Sequence, residues 1–363
     1  MKAVTIVGAR PQFIKAAIVS RALARTGSLE EVVIHTGQHH DAVMSEVFFT
    51  ELGLGRPSHH LGVHGGGHGE MTGRMLERCE MVLQQEAPDV VIVYGDTNST
   101  LAGALAAAKL GLPVAHVEAG LRSFDRSMPE ETNRVLVDHL SRMHFAPSAV
   151  AVANLAREGI SGAGVHCVGD VMFDAARHFA GDVPPAAICP GLTEGAYILA
   201  TVHRAGTTDD PARLAAVVAA LRELARDGEV VLPLHPRTRA RVSASGLSLE
   251  GVRVVEPLGY PAMLALTRGA RVVLTDSGGL QKEAYWLGRP CVTLRENTEW
   301  VELLQTGHNV LAGTDTGTIV SAVRMLASLA PVEPQPVYGD GRAAERIAEI
   351  LTGRVPEPLP GAR

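Results

Sequence analysis

The sequence predicts an α/β protein built from doubly wound parallel sheets and divided into two domains. Apolar, β-branched runs such as Val90–Tyr94 are typical of strands that are covered on both faces. Most of these runs stop at a glycine-rich or polar turn and are followed by a helical pattern, which is the order of βαβ units. A chain of 363 residues is long enough for two such domains, and a stretch rich in proline and glycine at 184–195 indicates where a second half begins.

Composition and charge exclude several classes of protein. The chain is 46% apolar and 20% charged, as an ordinary globular protein is, and its net charge of −6 gives no basic footprint for nucleic acid. No apolar run reaches the length of a membrane span, and the N-terminus lacks the pattern of a signal peptide. The four cysteines are scattered without a C-x-x-C pair, which favours reduced thiols. We expect a cytoplasmic protein without nucleic-acid or membrane partners.

In the first half, about six strand–helix repeats predict a doubly wound sheet. Strands are expected at 3–7, 31–35, 90–94, 113–117, 144–147 and 165–168, and helices at 12–26, 41–52, 70–85, 99–110 and from 129 onward. The stretch 59–68 contains four histidines among glycines. Its glycines forbid a helix that would hold two metal ligands on one face, so a lid loop is favoured over a metal site.

Carboxylates follow two successive strands and begin a third element. Asp96 follows the strand at 90–94, Glu118 follows the next strand, and Ser127 and Glu130 have capping-box spacing at a helix start. Each acid alone could be a helix cap or a dipole partner. Because the carboxyl ends of parallel strands meet at one edge, their convergence favours proton-transfer chemistry.

Two cations lie at the first strand–helix junction. Arg10 follows the first strand and Lys15 lies one turn into the helix, an arrangement that suits a diphosphate. The alternative is that both are solvated surface charges. The G-x-G-x-x-G fingerprint is missing from this turn, so a dinucleotide cofactor is not indicated.

The second half repeats the α/β pattern and contains a phosphate-type turn. Strands are expected at 197–202, 229–234, 252–255 and 272–275, and a helix at 211–226. The last strand breaks into Ser277, Gly278 and Gly279, whose backbone could approach a phosphate, and Glu283 could bind ribose hydroxyls. A simple tight turn with a helix cap is the alternative. A final helix at 343–351 is able to cross back onto the first domain.

Seven motifs in this order resemble those of the non-hydrolysing UDP-N-acetylglucosamine 2-epimerases, and the resemblance extends from residue 1 to about 351. They are Gly8-Ala-Arg-Pro with Lys15, Gly37-Gln-His, Gly95-Asp-Thr, His116-Val-Glu-Ala-Gly-Leu-Arg, Pro129-Glu-Glu-Thr-Asn-Arg, Thr201-Val-His-Arg and Thr275-Asp-Ser-Gly-Gly-Leu-Gln-Lys-Glu.

The resemblance implies a GT-B-like fold of two Rossmann-type domains with a ligand cleft between them. The N-terminal domain would comprise 1–168 plus the C-terminal helix at 342–363, and the UDP-binding domain 169–341. It implies a homodimer that needs neither cofactor nor metal. The implied catalytic residues are Asp96, Glu118, Glu130 and His203. The implied substrate and UDP contacts are Arg10, Lys15, His235, Met263, Ser277, Gly278, Gly279 and Glu283.

The activity that the resemblance implies is conversion of UDP-N-acetylglucosamine to UDP-N-acetylmannosamine, by anti elimination of UDP to 2-acetamidoglucal and re-addition. Three positions depart from the family pattern: Gly206 replaces an acid, and Met128 and Trp300 look like the branch that acts on UDP-2,3-diacetamido-2,3-dideoxy-glucuronic acid. A 2-epimerase of that uronic acid is therefore the close alternative. A hydrolysing relative, a GT-B glycosyltransferase and a UDP-sugar sensor are more distant ones.

Overall fold

The structure, a computed structural model, describes residues 1–38, 52–181, 183–298, 300–329, 336–357 and 359. His39 of the Gly37 motif and the helix predicted at 41–52 lie essentially outside this range. The chain divides into two compact units, Met1–Ala175 with Pro336–Arg363, and Ala176–Gln335. These divisions fall a few residues from the predicted ones at 168/169 and 341/342.

The first unit is built on a parallel sheet with the strand order β3-β2-β1-β4-β5-β6-β7. In this doubly wound order the switch point lies between β1 and β4. The strands are β1 (Lys2–Val7), β2 (Glu30–His35), β3 (His59–His60), β4 (Val90–Tyr94), β5 (Val114–Val117), β6 (Met143–Ala146) and β7 (Val165–Cys167). The helices are α1 (Arg10–Thr26), α2 (His68–Glu86), α3 (Asn98–Lys109), α4 (Pro129–Leu140) and α5 (Ala149–Arg157), and the division between the units falls within α6 (Val171–Phe179).

The second unit contains a parallel sheet with the order β10-β9-β8-β11-β12-β13. Its strands are β8 (Tyr197–Thr201), β9 (Glu229–Pro233), β10 (Arg253–Val255), β11 (Val272–Thr275), β12 (Cys291–Thr293) and β13 (Asn309–Leu311). Its helices are α7 (Pro185–Ile188), α8 (Ala205–Thr208), α9 (Pro211–Asp227), α10 (Pro236–Ala244), α11 (Tyr260–Gly269), α12 (Gly278–Trp286), α13 (Val301–Gln305) and α14 (Thr316–Ala327). Both units are therefore of the Rossmann type.

The last helix, α15 (Ala343–Leu351), belongs to the first unit and packs against α1. Asp174 Oδ2 accepts a hydrogen bond from the Ala344 N–H at 2.7 Å, and Arg346 is paired with Asp340. These contacts hold the C-terminal segment against the first unit. Among the described residues, no helix is both long enough and apolar enough to span a membrane.

Two local predictions are wrong. The loop expected at 59–68 begins instead as the short edge strand β3, which pairs with β2, and the ring of His60 stacks on buried His35 with centroids 4.5 Å apart. The capping box of Ser127 and Glu130 does not form. The residue before α4 is Met128, without a side-chain cap, and Ser127 donates to Asp125 through both its N–H and its hydroxyl.

Candidate active site

In the first unit, the candidate proton-transfer residues lie at the carboxyl ends of neighbouring parallel strands. Asp96 follows β4 and Glu118 follows β5, while Arg10 begins α1 after β1. Since β4 lies between β1 and β5, these three strand ends are adjacent at the switch point of the sheet. A doubly wound sheet opens its ligand crevice at this place.

Asp96 is half-buried and forms an ion pair with Arg134 of α4. Asn133 Nδ2 donates to the carbonyl oxygen of Asp96 at 2.9 Å, so two successive residues of α4 hold this turn. Burial raises the pKa of Asp96, Arg134 opposes the rise, and the charge of Glu118 adds to it. A carboxyl group with a raised pKa can carry a proton closer to neutral pH, as a general acid must.

Glu118 is held in a strained conformation that directs it to the β4 turn. Its φ of +76° lies in the left-handed region, which costs a non-glycine residue about 1–3 kcal/mol. Its carboxylate forms an ion pair with Lys15, which is only 8% exposed and so is not a solvated surface charge. A Cβ built on Gly95 would lie 3.3 Å from Glu118 Oε2, so this carboxylate stands directly against the residue that precedes Asp96.

The two acids at the start of α4 have different surroundings. Glu130 is exposed and makes no hydrogen bond or ion pair with the residues that the structure describes. Glu131 is buried; its carboxylate accepts from the N–H groups of Ser123 and Phe124 at 2.9 and 3.0 Å and from Arg134 at 3.0 Å. The helix therefore joins Glu131, through Arg134, to the Asp96 network and leaves Glu130 at the surface.

A glutamine that was not among the predicted site residues links the ends of β1 and β4. Gln12 Oε1 accepts from the N–H groups of Gly8 and Ala9 at 2.8 and 3.0 Å. Its Nε2 donates to the carbonyl oxygen of Tyr94 at 2.7 Å. The signal in the sequence is a glutamine three residues after Ala9, the spacing with which a side chain reaches back to the residue that precedes a helix.

In the second unit, polar groups gather at the ends of β8 and β11. The hydroxyl oxygens of Thr201 and Thr275 are 2.5 Å apart. Asp276 is fully buried and accepts from the N–H groups of His203 and Arg204 at 2.9 and 2.8 Å. His203 Nδ1 lies 3.2 Å from Asp276 Oδ1, while 45% of the His203 side chain stays exposed. Asp276 thus fixes the turn that presents the imidazole to solvent.

The turn after Asp276 has the features of a phosphate-binding helix start. The Ser277 N–H donates to Thr275 Oγ1 at 2.9 Å, and Ser277 Oγ accepts from the Leu280 N–H at 3.4 Å. Gly278 and Gly279 open α12, and a Cβ at Gly279 would meet nothing closer than Ser277 Oγ at 4.0 Å. The first N–H groups of a helix and its dipole favour an anion in such open space.

Three further predicted contacts lie on separate helices of the second unit. Glu283 is buried, about one turn into α12. His235 is exposed and caps α10, its Nδ1 accepting from the Arg237 N–H at 3.2 Å. Met263 is half-buried on α11 and packs at the edge of an apolar cluster that includes Leu199. Their roles in nucleotide binding stay predictions.

A cation–π contact with Lys282 accounts for Trp300, one of the residues that depart from the family pattern. Lys282 Nζ lies 3.8 Å from the ring centroid of Trp300 and 5.4 Å from that of Trp286, and Lys282 is only 2% exposed. Thr298 Oγ1 donates to Gln281 Oε1 at 2.8 Å. Both contacts hold the segment that follows β12 against α12, beside the turn of Ser277, Gly278 and Gly279.

Comparison with known proteins identifies one protein family with this fold and these strand-end turns. The chain matches the family model described as UDP-N-acetylglucosamine 2-epimerase over residues 21–352, and it belongs to that family. The protein is therefore an epimerase, an isomerase with a GT-B-like fold. A spinosyn rhamnosyltransferase with a TM-score of 0.53 and 15% identity shares the fold alone.

Two relatives with full-length similarity bear different names. The chain is 52% identical to the UDP-2,3-diacetamido-2,3-dideoxy-D-glucuronate 2-epimerase of Pseudomonas aeruginosa, over 97% of this chain and 99% of that protein. It is 42% identical to the UDP-N-acetylglucosamine 2-epimerase of Methanocaldococcus jannaschii, over 97% and 99%. The crystal structure of the M. jannaschii enzyme in complex with UDP-GlcNAc and UDP gives a TM-score of 0.88 at 41% identity, covering 97% of this chain and 100% of that one.

Proposed function

We propose that the protein is the 2-epimerase of UDP-2,3-diacetamido-2,3-dideoxy-glucuronic acid. The observation that carries this proposal is the 52% identity, over nearly the whole of both chains, to a relative named for that reaction. The M. jannaschii relative, named for UDP-N-acetylglucosamine, reaches 42%. Met128 and Trp300 are the two positions at which the sequence already resembled the uronic-acid branch.

The reaction needs acids and no redox cofactor. The proton on C2 of the sugar is too weakly acidic for direct removal, but the neighbouring C1 carries UDP, a good leaving group. Loss of the C2 proton with departure of UDP gives a glycal with a C1–C2 double bond. A proton then adds to the opposite face of C2, and UDP adds back at C1. Each direction uses one group that accepts a proton and one that donates it.

The acids of the first unit suit these two steps. Glu118 forms an ion pair with Lys15, and the carboxylate form is the one that accepts the C2 proton. Asp96 has a raised pKa and is suited to hold a proton for the opposite face. In the reverse reaction the two roles are exchanged. Glu130, exposed at the start of α4, is the third predicted acid and would contact the substrate directly.

The remaining predicted residues suit the leaving group. The open turn of Ser277, Gly278 and Gly279 offers backbone N–H donors for the departing diphosphate. Arg10, Lys15 and His203 would add cationic or hydrogen-bonding groups that stabilise its charge, and Glu283 would bind the ribose hydroxyls. His235 and Met263 complete the predicted nucleotide contacts.

UDP-N-acetylglucosamine is the second candidate substrate. The family model and the M. jannaschii relative carry that name, and the residues proposed for proton transfer and for the diphosphate would serve either sugar. The two sugars differ in their substituents at C3, which adjoins the reacting C2, and at C6. The choice between them therefore concerns contacts to those two substituents.

A substrate panel in heavy water tests the proposal. The purified protein is incubated in D2O with each of the two UDP-sugars, and the products are followed by proton NMR. We expect the C2 epimer with deuterium at C2, and a kcat/KM at least about tenfold higher for the uronic acid, equivalent to about 1.4 kcal/mol of transition-state binding.

Three results would contradict the proposal. Epimer without deuterium at C2 would exclude proton transfer at that carbon. Free sugar released in step with UDP would identify a hydrolysing enzyme, and transfer of the sugar to an added acceptor would identify a glycosyltransferase. A higher kcat/KM for UDP-N-acetylglucosamine would transfer the assignment to the second candidate.

The proposal includes a homodimer, as the family resemblance implies, and a cytoplasmic location, as the scattered cysteines favour. Light scattering on the eluted protein would give its mass relative to the 38.3 kDa chain. A monomer with full activity would remove the homodimer from the proposal.

A further inference from the structure

Beneath the strand ends of the first unit lies a cluster of ionisable side chains, here called the His116 cluster, made of His116, Arg122, Asp138 and Glu158. The side chains of His116 and Asp138 are 0% exposed, that of Arg122 is 1% exposed and that of Glu158 is 27% exposed. None of these four residues is among the predicted catalytic or UDP-binding residues. The cluster nevertheless adjoins both turns that carry Asp96 and Glu118.

Hydrogen-bond geometry determines which ring nitrogens of His116 carry protons. Nε2 lies 2.8 Å from the carbonyl oxygen of Gly95, which can only accept, so Nε2 must donate. Nδ1 lies 2.7 Å from Asp138 Oδ1. If Asp138 is ionised, this oxygen also can only accept, and Nδ1 must carry the second proton.

Asp138 has the partners of an ionised carboxylate. Its Oδ2 accepts from the Gly120 N–H at 3.1 Å and from Arg122 Nη1 at 2.7 Å. Burial by itself would raise the pKa of Asp138, but the charges and hydrogen bonds of His116 and Arg122 hold it below the usual value.

The charge balance of the cluster leads to the same protonation state. Arg122 also binds Glu158 with two nitrogens, at 2.7 Å each, so one guanidinium faces two carboxylates. With a neutral His116 the cluster would carry one net negative charge, which is costly in buried surroundings. A protonated His116 makes the four groups neutral. Among the described residues, two other histidines contact the cluster: the half-exposed His139, 3.7 Å from Glu158, and His144, 2.8 Å from the backbone carbonyl of Asp138.

We propose that His116 is a doubly protonated imidazolium and a positioning residue for the two acids. Its Nε2–H holds the carbonyl of Gly95, the residue before Asp96. Its partner Asp138 holds the N–H of Gly120, two residues after Glu118. One buried cation–carboxylate pair therefore fixes the two turns relative to each other. The protonation state of His116 does not depend on the proposed function, whereas its positioning role rests on the proposed function.

A second buried histidine provides an internal comparison. His144 lies on β6, directly opposite His116 in the register, and is 4% exposed. Its Nε2 donates to the backbone carbonyl of Asp138 at 2.8 Å, and its Nδ1 has no hydrogen-bond partner among the described residues. His144 is therefore expected to be a neutral ring with one proton, in contrast to His116.

NMR of the native protein tests the protonation state. With ¹⁵N-labelled histidine, we expect both ring nitrogens of His116 to show directly bonded protons at pH 7, while His144 shows only one. The signals are assigned among the 15 histidines by triple-resonance connection of each ring to its own backbone, so the assignment does not depend on the folding of any variant. A single protonated nitrogen on His116 at pH 7 would overturn the proposal without any activity measurement.

Asp138→Asn tests whether the carboxylate is the source of the second proton. Asparagine keeps an oxygen acceptor at this position but removes the charge. We expect only one ring nitrogen of His116 to carry a proton in this variant. A doubly protonated His116 in Asp138→Asn would overturn the role given to the carboxylate.

Kinetics test the positioning role. In His116→Gln we expect kcat to fall by about 10- to 100-fold with KM nearly unchanged, because displaced acids slow proton transfer without removing substrate contacts. His144→Gln, the matched control, is expected to retain kcat. Equal kcat in the two variants would overturn the positioning role, and the NMR result decides the proposal if His116→Gln does not fold. Failure of the native protein to epimerise either UDP-sugar would contradict the proposed function and leave the NMR test intact.

Discussion

The strand-end edges of the two units are chemically different although both sheets are doubly wound. In the first unit the edge carries ion pairs, Asp96 with Arg134 and Glu118 with Lys15. In the second unit Asp276 is directed inward to backbone N–H groups and to His203. Proton transfer needs ionisable groups with adjusted pKa values, whereas a bound diphosphate needs hydrogen-bond donors and a positive field. The two sheets therefore share one architecture but differ in the polar groups at their strand-end edges.

Glycines at the two edges show the same difference. A Cβ at Gly8, in the first turn of the first unit, would lie 2.1 Å from both Ser99 Oγ and Thr36 Oγ1. A Cβ at Gly279 in the second unit would meet only Ser277 Oγ at 4.0 Å. Gly8 is therefore required by internal packing, and Gly279 leaves space at the outer surface of its helix.

The largest effect that separates the two edges is expected from Asp96→Asn. This change keeps the size of the side chain but removes the proton-transfer group, so kcat should fall by about 10²- to 10⁴-fold. UDP affinity should stay close to that of the native protein, because Asp96 is not among the proposed contacts to the diphosphate. Turnover by NMR and UDP binding by calorimetry measure the two effects.

Asp89→Asn is the matched control for this change. Asp89 precedes β4 at the opposite end from Asp96, and its Oδ2 accepts from the Lys2 N–H at 2.7 Å. The variant should retain both activity and UDP binding. If Asp96→Asn kept native kcat, or lost UDP binding together with activity, the division of roles between the edges would be wrong.

The sequence allowed much of this arrangement to be predicted because the strongest signals are local. The run at Val90–Tyr94 with a following polar turn is enough to predict β4 and the place of Asp96. The Ser277-Gly-Gly turn similarly predicts the start of α12. By contrast, β3 consists of two histidines without any alternating pattern, and its pairing is supplied by β2. The short strands β12 and β13 were missed for the same reason.

Contacts between distant residues could not be predicted from one sequence. Glu130 and Glu131 are adjacent in the chain, but they point about 100° apart on a helix, and the sequence does not show which one faces inward. The structure buries Glu131 and exposes Glu130. The pairing of His116 with Asp138 likewise depends on how α4 packs against β5, which no local motif specifies.

The next largest effect is on the pH dependence of stability, and it concerns two acids that cap helices, one in each unit. Asp174 caps the start of α15 and is buried, and burial raises its pKa to about 7. Between pH 4 and 7 the folded state therefore binds more protons at Asp174 than the unfolded chain does, so stability falls as pH rises through this range. Asp174→Asn removes this penalty, and its stabilising effect should grow from near zero at pH 4 to at most about 4 kcal/mol above pH 7.

Hydrogen exchange of α15 and α1 peptides as a function of pH measures this effect within the first unit. Asp315→Asn is the control in the second unit, because Asp315 caps α14 from an exposed position and hydrogen bonds from Thr318 lower its pKa. The contribution of Asp315 to stability is present at neutral pH and is lost as pH falls. This pH dependence is opposite to that of Asp174. A benefit of Asp174→Asn that is equal at pH 4 and pH 8 would show that Asp174 is not the titrating group.

The smallest effects come from paired glycine substitutions, which test the difference in packing directly. Gly8→Ala should destabilise the first unit by about 1–3 kcal/mol, because Ser99 and Thr36 must move to admit the methyl group. Gly279→Ala should change the stability of the second unit by less than about 0.5 kcal/mol, yet weaken UDP binding by roughly tenfold through the lost close approach of the phosphate.

The two tryptophans, Trp286 and Trp300, both lie in the second unit, so their fluorescence in urea reports that unit alone. Hydrogen exchange of β1 and α3 peptides reports the first unit. Gly8→Ala should therefore leave the fluorescence midpoint unchanged while exchange in β1 accelerates. Suppose that Gly279→Ala lowered the free energy of unfolding of the second unit by as much as it lowered the free energy of UDP binding. The turn at Gly279 would then be tightly packed, like the turn at Gly8, and the second edge would not be an open anion site.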